Sequence, residues 1–421
     1  MRVVVLGAGL AGTTTAWRLL ADGHEVTLVD RASRVADASS DTNGGIVSAS
    51  RAFPWASPQM HTTFLRALVR NDQAVRVFLA RWDPAFWAWG LQFLAACRPE
   101  RYAQILERKV RFVRYAQESL AALARESGIE YHRKQGGALY LYRTQAALEA
   151  GDRKVEPMRK LGFTFNVLDT AALVRLDPAF AASAGRIAGA VHSVSDESGE
   201  SGHFCRELVQ LARGRGLQVR LGTTVLGLET DGDKVVAVRT TGRRIDADAF
   251  VCALGVIDPA LKAQLGAKLP LYPVKGYSAT VPVRAGAPMP EHAGIDETKL
   301  VAWCPMGDRL RLTGGAEFAG WGMDSRPSDY ARLFDLAEDL FPGLTDRSRA
   351  FSNASMRACQ RPMTPESTPL FGTGRYANLW FNVGLGHMGW TMAAGAARIT
   401  ADLVAERQPE TDLDGMRVQP A

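Results

Sequence analysis

The chain has 421 residues, 47% hydrophobic and 22% charged, the composition of a folded protein of roughly two or three domains. Its formal net charge is +6, but the basic residues form no cluster, which excludes nucleic acid as a partner and leaves room for anionic substrates or a membrane surface. Five isolated cysteines, none in CxxC spacing, argue against a disulfide framework or a zinc site and fit a reducing, cytoplasmic compartment.

No apolar run has transmembrane length, and a strand beginning at Arg2 leaves no signal or transit segment to be expected before it. That strand, Arg2 to Leu6 (RVVVL), is β-branched and apolar, as a buried parallel strand should be. Gly7-Ala8-Gly9-Leu10-Ala11-Gly12 follows as G-x-G-x-x-G. A helix is expected from Thr13 to Asp22, then a second strand, Glu25 to Val29, closed by Asp30. This order is that of a dinucleotide-binding turn. Gly7 permits the turn, Gly9 lets backbone approach a pyrophosphate, Gly12 allows close helix–strand packing, and the helix N-terminus faces the anion. Leu10 and Ala11 belong to the same cofactor-binding stretch. Asp30 can accept from an adenosine ribose, and Arg31 beside it is expected at the surface of that site.

A nicotinamide or a flavin dinucleotide would satisfy this motif. The next segment, Ser39 to Ser48 (SSDTNGGIVS), is small and polar and suits the ring end of an extended flavin, with Asn43, Gly44, Gly45 and Ile46 as contacts. Residues 60 to 127 read as largely helical. Within them Trp82 to Cys97 reads as a buried helix face, with a membrane or partner surface as the alternative. Strands are expected at 136 to 142 and 188 to 192, a helix at 146 to 161, and a polar loop at 195 to 202 in which Asp196 and Glu197 cap the turn. A helix from His203 to Arg213, a strand from Leu217 and a β-meander from Thr223 to Asp246 lead to Ala249 to Leu254, an apolar strand ended by Gly255. Val225 and Gly255 join the candidate cofactor contacts.

From Lys268 a second domain resumes. Its strands are expected around Tyr272 to Ser278, Val301 to Cys304 and Leu310 to Thr313, with Gly314-Gly315 at a turn or close backbone approach, Lys275 at the surface or, as the alternative, near a flavin N5, and a helix over 328 to 341. A last strand, Leu379 to Val383, enters a second glycine-rich turn before the helix Met392 to Ala405. Gly386, His387, Met388, Gly389, Trp390 and Thr391 lie there, where a helix dipole would stabilise negative charge on a reduced flavin. The fold class is therefore mixed α/β. A Rossmann-like domain (1–60, 190–265 and 356–421) is combined with an antiparallel-sheet substrate domain (61–189 and 266–355), both discontinuous.

RVVVLGAGLAG, SDTNGGIVS with PWASP, RKQGGALYLYRT, YPVKGYS, RPMTPESTP and GHMGWTMAAG occur in one order along nearly the whole chain. Together they resemble the D-amino-acid oxidase superfamily, and within it the small-subunit family of bacterial D-amino-acid dehydrogenases. The resemblance implies a non-covalently bound FAD and a D-amino or cyclic imino acid oxidised to an imine. It places a carboxylate-binding arginine at Arg361 and pocket tyrosines at Tyr277 and Tyr272, with His387 beside the flavin. Electrons would pass to a quinone or another respiratory carrier, with peripheral contact at the cytoplasmic face of the inner membrane. Proline or hydroxyproline dehydrogenases and oxygen-using glycine or sarcosine oxidases share most of these motifs. The chain departs from the family at Gly384-Leu385-Gly386-His387, where glycine–histidine–glycine is common, and at Asn43-Gly44-Gly45, where Asn-Ala-Gly is usual. Hydride transfer from Cα needs orientation and a carboxylate grip, with no obligatory side-chain base.

Overall fold

The computed structural model describes residues 1–60, 75–77, 82–345 and 354–421. Among them, six strands form a sheet in the order Gln218–Arg220, Glu25–Val29, Arg2–Leu6, Ala249–Cys252, Leu379–Val383, Leu370–Thr373. Neighbours run parallel except for the last pair. The RVVVL run is covered on both faces, which is why it does not alternate. Val3 and Val5 pack beneath the helix Leu10–Ala21, while Val4 and Leu6 pack with Val235, Val238 and Ile245 of the meander. Each such buried side chain contributes roughly 1.5–3 kcal/mol.

Helix Leu10–Ala21 lies between Ser201–Gly214 and Gly389–Val404. The last of these also packs on the long helix Pro99–Ser127. Gly395 makes that approach possible, because a Cβ there would stand 2.6 Å from Cα of Ala116.

A second sheet runs Ser355–Met363, Tyr272–Pro282, Arg309–Phe318, Val301–Met306, Ala293–Asp296, Ala138–Tyr142, Gly189–Ser193, Phe165–Asp169. Along this path it is antiparallel except where Ala293–Asp296 meets Ala138–Tyr142, and a ninth short strand, Val75–Val77, pairs parallel to Arg309–Phe318 off the path. Helix Pro327–Leu340 packs its Leu333, Leu336 and Leu340 against one face.

Several expectations need correction. Where described, residues 60 to 127 are largely helical as expected, in Pro84–Ala96 and Pro99–Ser127, but Val75–Val77 is a short strand parallel to Ala316–Phe318, in keeping with its β-branched VRV sequence. Positions 61–74 and 78–81 lie outside the described residues. The helix expected over 146 to 161 is two helices, Gln145–Lys154 and Glu156–Lys160. Pro157 cannot continue the first helix, since it lacks an N–H and crowds the preceding turn. The loop expected at 195 to 202 is buried from Asp196 onward and contains the strand Glu197–Ser198. Lys275 is buried rather than at the surface, paired with Glu317 at 3.1 Å and donating to the Asp324 carbonyl at 3.0 Å.

Candidate active site

The carboxyl ends of the parallel strands face a cavity of about 1540 Å³ that reaches across to the second sheet. Ordinary small-molecule sites occupy ~300–1,000 Å³. The first βα turn forms part of its wall. Gly7 has φ +108°, and a Cβ on it would stand 2.7 Å from the Ala253 carbonyl oxygen. At Gly9 a Cβ would meet Ser40 Oγ at 2.9 Å, and that hydroxyl accepts from the Leu10 amide at 2.9 Å. Gly12 does not line the cavity; its α-hydrogen faces the Gly7 carbonyl, whose carbon would be 2.8 Å from a Cβ.

Asp30 closes its strand at the cavity with Arg31 beside it. Its Oδ2 accepts from the Ala8 amide at 2.6 Å and its Oδ1 from Ala32 at 2.8 Å. A carboxylate has further lone pairs, so a ribose hydroxyl can still donate to it. Leu10, Ala11, Val225 and Gly255 also line the cavity.

The segment after Asp30 is held from the second sheet. Arg311, buried in Arg309–Phe318, donates from Nη1 to the carbonyls of Asp41 (2.7 Å) and Asn43 (2.9 Å) and from Nε to Thr280 (2.5 Å). Asn43 accepts from the Gly45 amide at 2.8 Å. Asn43, Gly44 and Ile46 line the cavity, whereas Gly45 turns away against Cys304 and Met306. Asp41 pairs with Arg206 (2.9 Å) and Arg357 (3.1 Å). Burial opposes its charge, but Arg206, Arg311 and Arg34 outweigh that and hold its carboxyl below the usual range.

Asp196 is not a loop cap. It is buried and accepts from Ser48 (2.6 Å), Ser50 (2.8 Å) and Tyr140 (3.0 Å), while burial pushes its pKa up. Glu197 instead pairs with Arg133 at 2.6 Å.

On the second sheet, Arg361 lines the cavity and donates from Nη1 to the Gly315 carbonyl at 2.9 Å. Gly315 has φ +78° within the strand, so Gly314-Gly315 is a close approach and not a turn between strands. The expected pocket tyrosines are not among the lining residues. Tyr277 packs edge-on against Tyr330 (ring centroids 5.3 Å), because its side of the strand faces helix Pro327–Leu340. Tyr272 lies beneath the helix Pro84–Ala96, tilted on Phe86 at 5.4 Å and donating to Asp83 at 2.9 Å.

The late turn supplies Gly386, His387, Met388, Gly389 and Thr391 to the wall, the first three as a 3₁₀ turn. Thr391 accepts from the Ser48 amide at 3.1 Å. Trp390 points into the core, packed on Tyr131 and Phe204. His387 stacks on Trp55 with ring centroids 4.9 Å apart. Burial, with the charges of Lys109 and Arg361, holds the imidazole well below its usual pKa, so it is neutral at physiological pH. Trp89 and Phe93 close the same end, with Trp89 Nε1 donating to the Met363 carbonyl at 2.9 Å.

Arg311 and Lys109 escaped the sequence reading, and the buried role of Asp196 did too. None of the three sits in a spaced motif; each acts through contacts between segments far apart in the chain.

The residues present suit a dinucleotide. The Gly9 approach is bare where a Cβ would crowd Ser40, the helix start offers backbone N–H groups, and an acid lines the far wall. A parallel dinucleotide fold joined to a second sheet that presents a half-buried arginine to the shared cavity defines a class of flavin-type oxidoreductase. Residues 2–403 match the family model described as FAD dependent oxidoreductase, and the chain belongs to that family. It is 40% identical over 417 residues to D-amino acid dehydrogenase 2 of Mesorhizobium japonicum, covering 99% of each chain. It is also 40% identical over 420 residues to the D-amino acid dehydrogenase of Paramagnetospirillum magneticum, covering 99% of this chain and 98% of that one. Among solved structures, glycine oxidase from Geobacillus kaustophilus superposes with a TM-score of 0.73 at 19% identity, covering 99% of this chain and 98% of that one. The protein is thus an FAD-dependent oxidoreductase.

Proposed function

We propose that the protein dehydrogenates D-amino acids to imines, which water converts to a 2-oxo acid and ammonia. The observation that carries this reading is Arg361: a guanidinium on the sheet wall, anchored to Gly315 and facing the cavity beside His387 and Trp55. Full-length likeness to proteins named D-amino acid dehydrogenase supports it.

When bound, FAD supplies the two-electron acceptor. The chain's residues do the rest. Arg361 grips the α-carboxylate bidentately through its planar fork of N–H donors. Trp55, Trp89 and Phe93 exclude water and bound the side-chain space. The neutral His387 adds no competing charge. Gly7, Gly9, Leu10, Ala11 and Asp30 hold the nucleotide half non-covalently, while Asn43, Gly44, Ile46 and the helix start at Gly389 hold the ring half. In this reading the parallel sheet is the FAD-binding domain and the second sheet the substrate domain.

The electron acceptor is a quinone, reached by peripheral contact of a cytoplasmic protein with the membrane. Helix Pro84–Ala96 supports this: it carries no charged residue, its Trp87 and Leu91 are exposed, and Trp82 just before it is 81% exposed. Among the described residues no helix is long and apolar enough to cross a membrane.

Anaerobic mixing of the yellow protein with D-alanine, L-alanine, D-proline and glycine tests the reading. D-alanine should bleach the flavin band and L-alanine should not; bleaching by glycine alone overturns it. Dye reduction without peroxide release then separates dehydrogenase from oxidase.

A further inference from the structure

Lys109 is fully buried in the middle of the helix Pro99–Ser127. Leu106 and Tyr102, one and two turns earlier on the same face, line the cavity. The ammonium donates to the Phe53 carbonyl at 3.2 Å. Among the described residues no carboxylate lies within ion-pair distance of it, and a buried charge without a counter-ion is costly.

Phe53 begins a short span whose far end is also tied down. The Trp55 amide donates to Ser367 Oγ at 3.2 Å, and Pro54 between them has a fixed φ. Trp55 in turn stacks on His387. Lys109 therefore stands behind the Trp55–His387 wall, close enough for its charge to bear on His387 together with that of Arg361.

We propose that Lys109 is a positioning residue of the carboxylate pocket: it fixes the Phe53–Trp55 wall and, as an un-neutralised cation behind His387, adds to the pull of Arg361 on the substrate carboxylate. The proposal rests on the carboxylate-binding reading above. Burial pushes the ammonium down to about 7. A carboxylate arriving in the pocket favours the charged form, so binding takes up a proton near neutrality.

The groups around it leave this linkage intact. His387 is neutral and Arg361 faces it across the cavity. Tyr102 on its own helix is held protonated by burial. Arg108 turns to Glu366 (2.8 Å) and Asp414 (3.4 Å). On the packed helix Gly389–Val404, Arg398 and Asp402 are paired with Glu410 and Arg407.

The test is titration of the holoenzyme with sodium propionate, which is D-alanine without its amine, from about pH 6 to about pH 8.5. Binding is read from the flavin band and proton uptake from an indicator dye. Wild-type affinity should fall roughly tenfold as pH rises through neutrality, with proton uptake on binding. Lys109→Met should keep the yellow colour, bind propionate about tenfold more weakly at the acid end, and lose both the pH dependence and the proton uptake. Lys109→Gln keeps a donor for Phe53. It should turn over D-alanine faster than the Met variant, because the wall is held, but without the pH dependence, and it carries the test if the Met variant fails to fold. Wild-type affinity and pH profile in either variant overturns the proposal, as does pH-independent binding in the wild type. Proton-linked propionate binding without bleaching by any D-amino acid supports the role of Lys109 and overturns the substrate reading instead.

Discussion

The guanidinium of Arg361 lies against the bare backbone of Gly276: a Cβ on that glycine would stand 2.6 Å from both Cζ and Nη1. The two sit on paired strands, Gly276 opposite Cys359 and Arg361 opposite Val274. Only a hydrogen at position 276 lets the guanidinium lie flat and reach the Gly315 carbonyl. Gly276→Ala should therefore raise the KM for D-alanine roughly 10–100-fold, as expected from a displacement of about 1 Å, with flavin content unchanged. Equal KM values in steady-state assays would remove this contact from the argument.

Arg361→Ala removes the proposed carboxylate grip itself. The expected outcome is a loss of kcat/KM of roughly 10³-fold, about 4 kcal/mol, in a protein that remains yellow. Arg361→Lys should recover only part of it, because an ammonium lacks the planar fork. Unchanged kinetics in the alanine variant would exclude Arg361 from the site.

Gly9→Ala places a methyl 2.9 Å from Ser40 Oγ, on the approach to the helix start. The variant should purify folded but with much reduced flavin content. In Gly12→Ala the methyl meets the Gly7 carbonyl directly, so loss of folded protein is expected there. Stoichiometric flavin in the Gly9 variant, measured by absorbance after gel filtration, would exclude that glycine from the cofactor path.

Arg311 ties the sheet to the backbone of the Asp41–Asn43 segment, beside the Arg357–Asp41 ion pair. Arg311→Met keeps much of the length and removes three donated bonds. The Asp41 and Asn43 carbonyls are half-buried, so leaving each unpaired costs at most about 1 kcal/mol. Flavin should be released at lower urea in the variant than in the wild type, as followed by flavin fluorescence.

Asp41 supplies a pH dependence. Its folded-state pKa is depressed, with Arg206 overcoming the opposing effect of burial. The stability it contributes is present above the unfolded carboxylate value of about 4 and is lost as pH falls through the folded value. Acid release of flavin should therefore begin below about pH 4, and Asp41→Asn should release flavin more easily at neutral pH while flattening the acid limb. An identical acid profile in the two proteins would rule this out.

The parallel sheet was legible because its signals are local. RVVVL, the glycine turn and EVTLV each declare themselves within a few residues, and AFVC with Gly255 and LWFNV repeat the pattern. Gly7, Gly9, Asp30, His387 and Arg361 accordingly fall together on one cavity. The tyrosines of YPVKGYS were harder. Ten successive positions of that strand, Tyr272 to Val281, are buried, so period-two alternation could not say which side chains face the cavity and which face a helix. Asp196 and Lys275 read as surface polar groups because the partners that bury them, Ser48 and Glu317, lie far away in sequence.

The strand Arg2–Leu6 borders Ala249–Cys252, which in turn borders Leu379–Val383. During translation the phosphate-gripping turn must wait for neighbours that emerge hundreds of codons later, and such distant pairing makes folding slow. Vitamin loading is accordingly a late event in the life of this polypeptide, possible only once the strand near its C-terminal end has been made and paired.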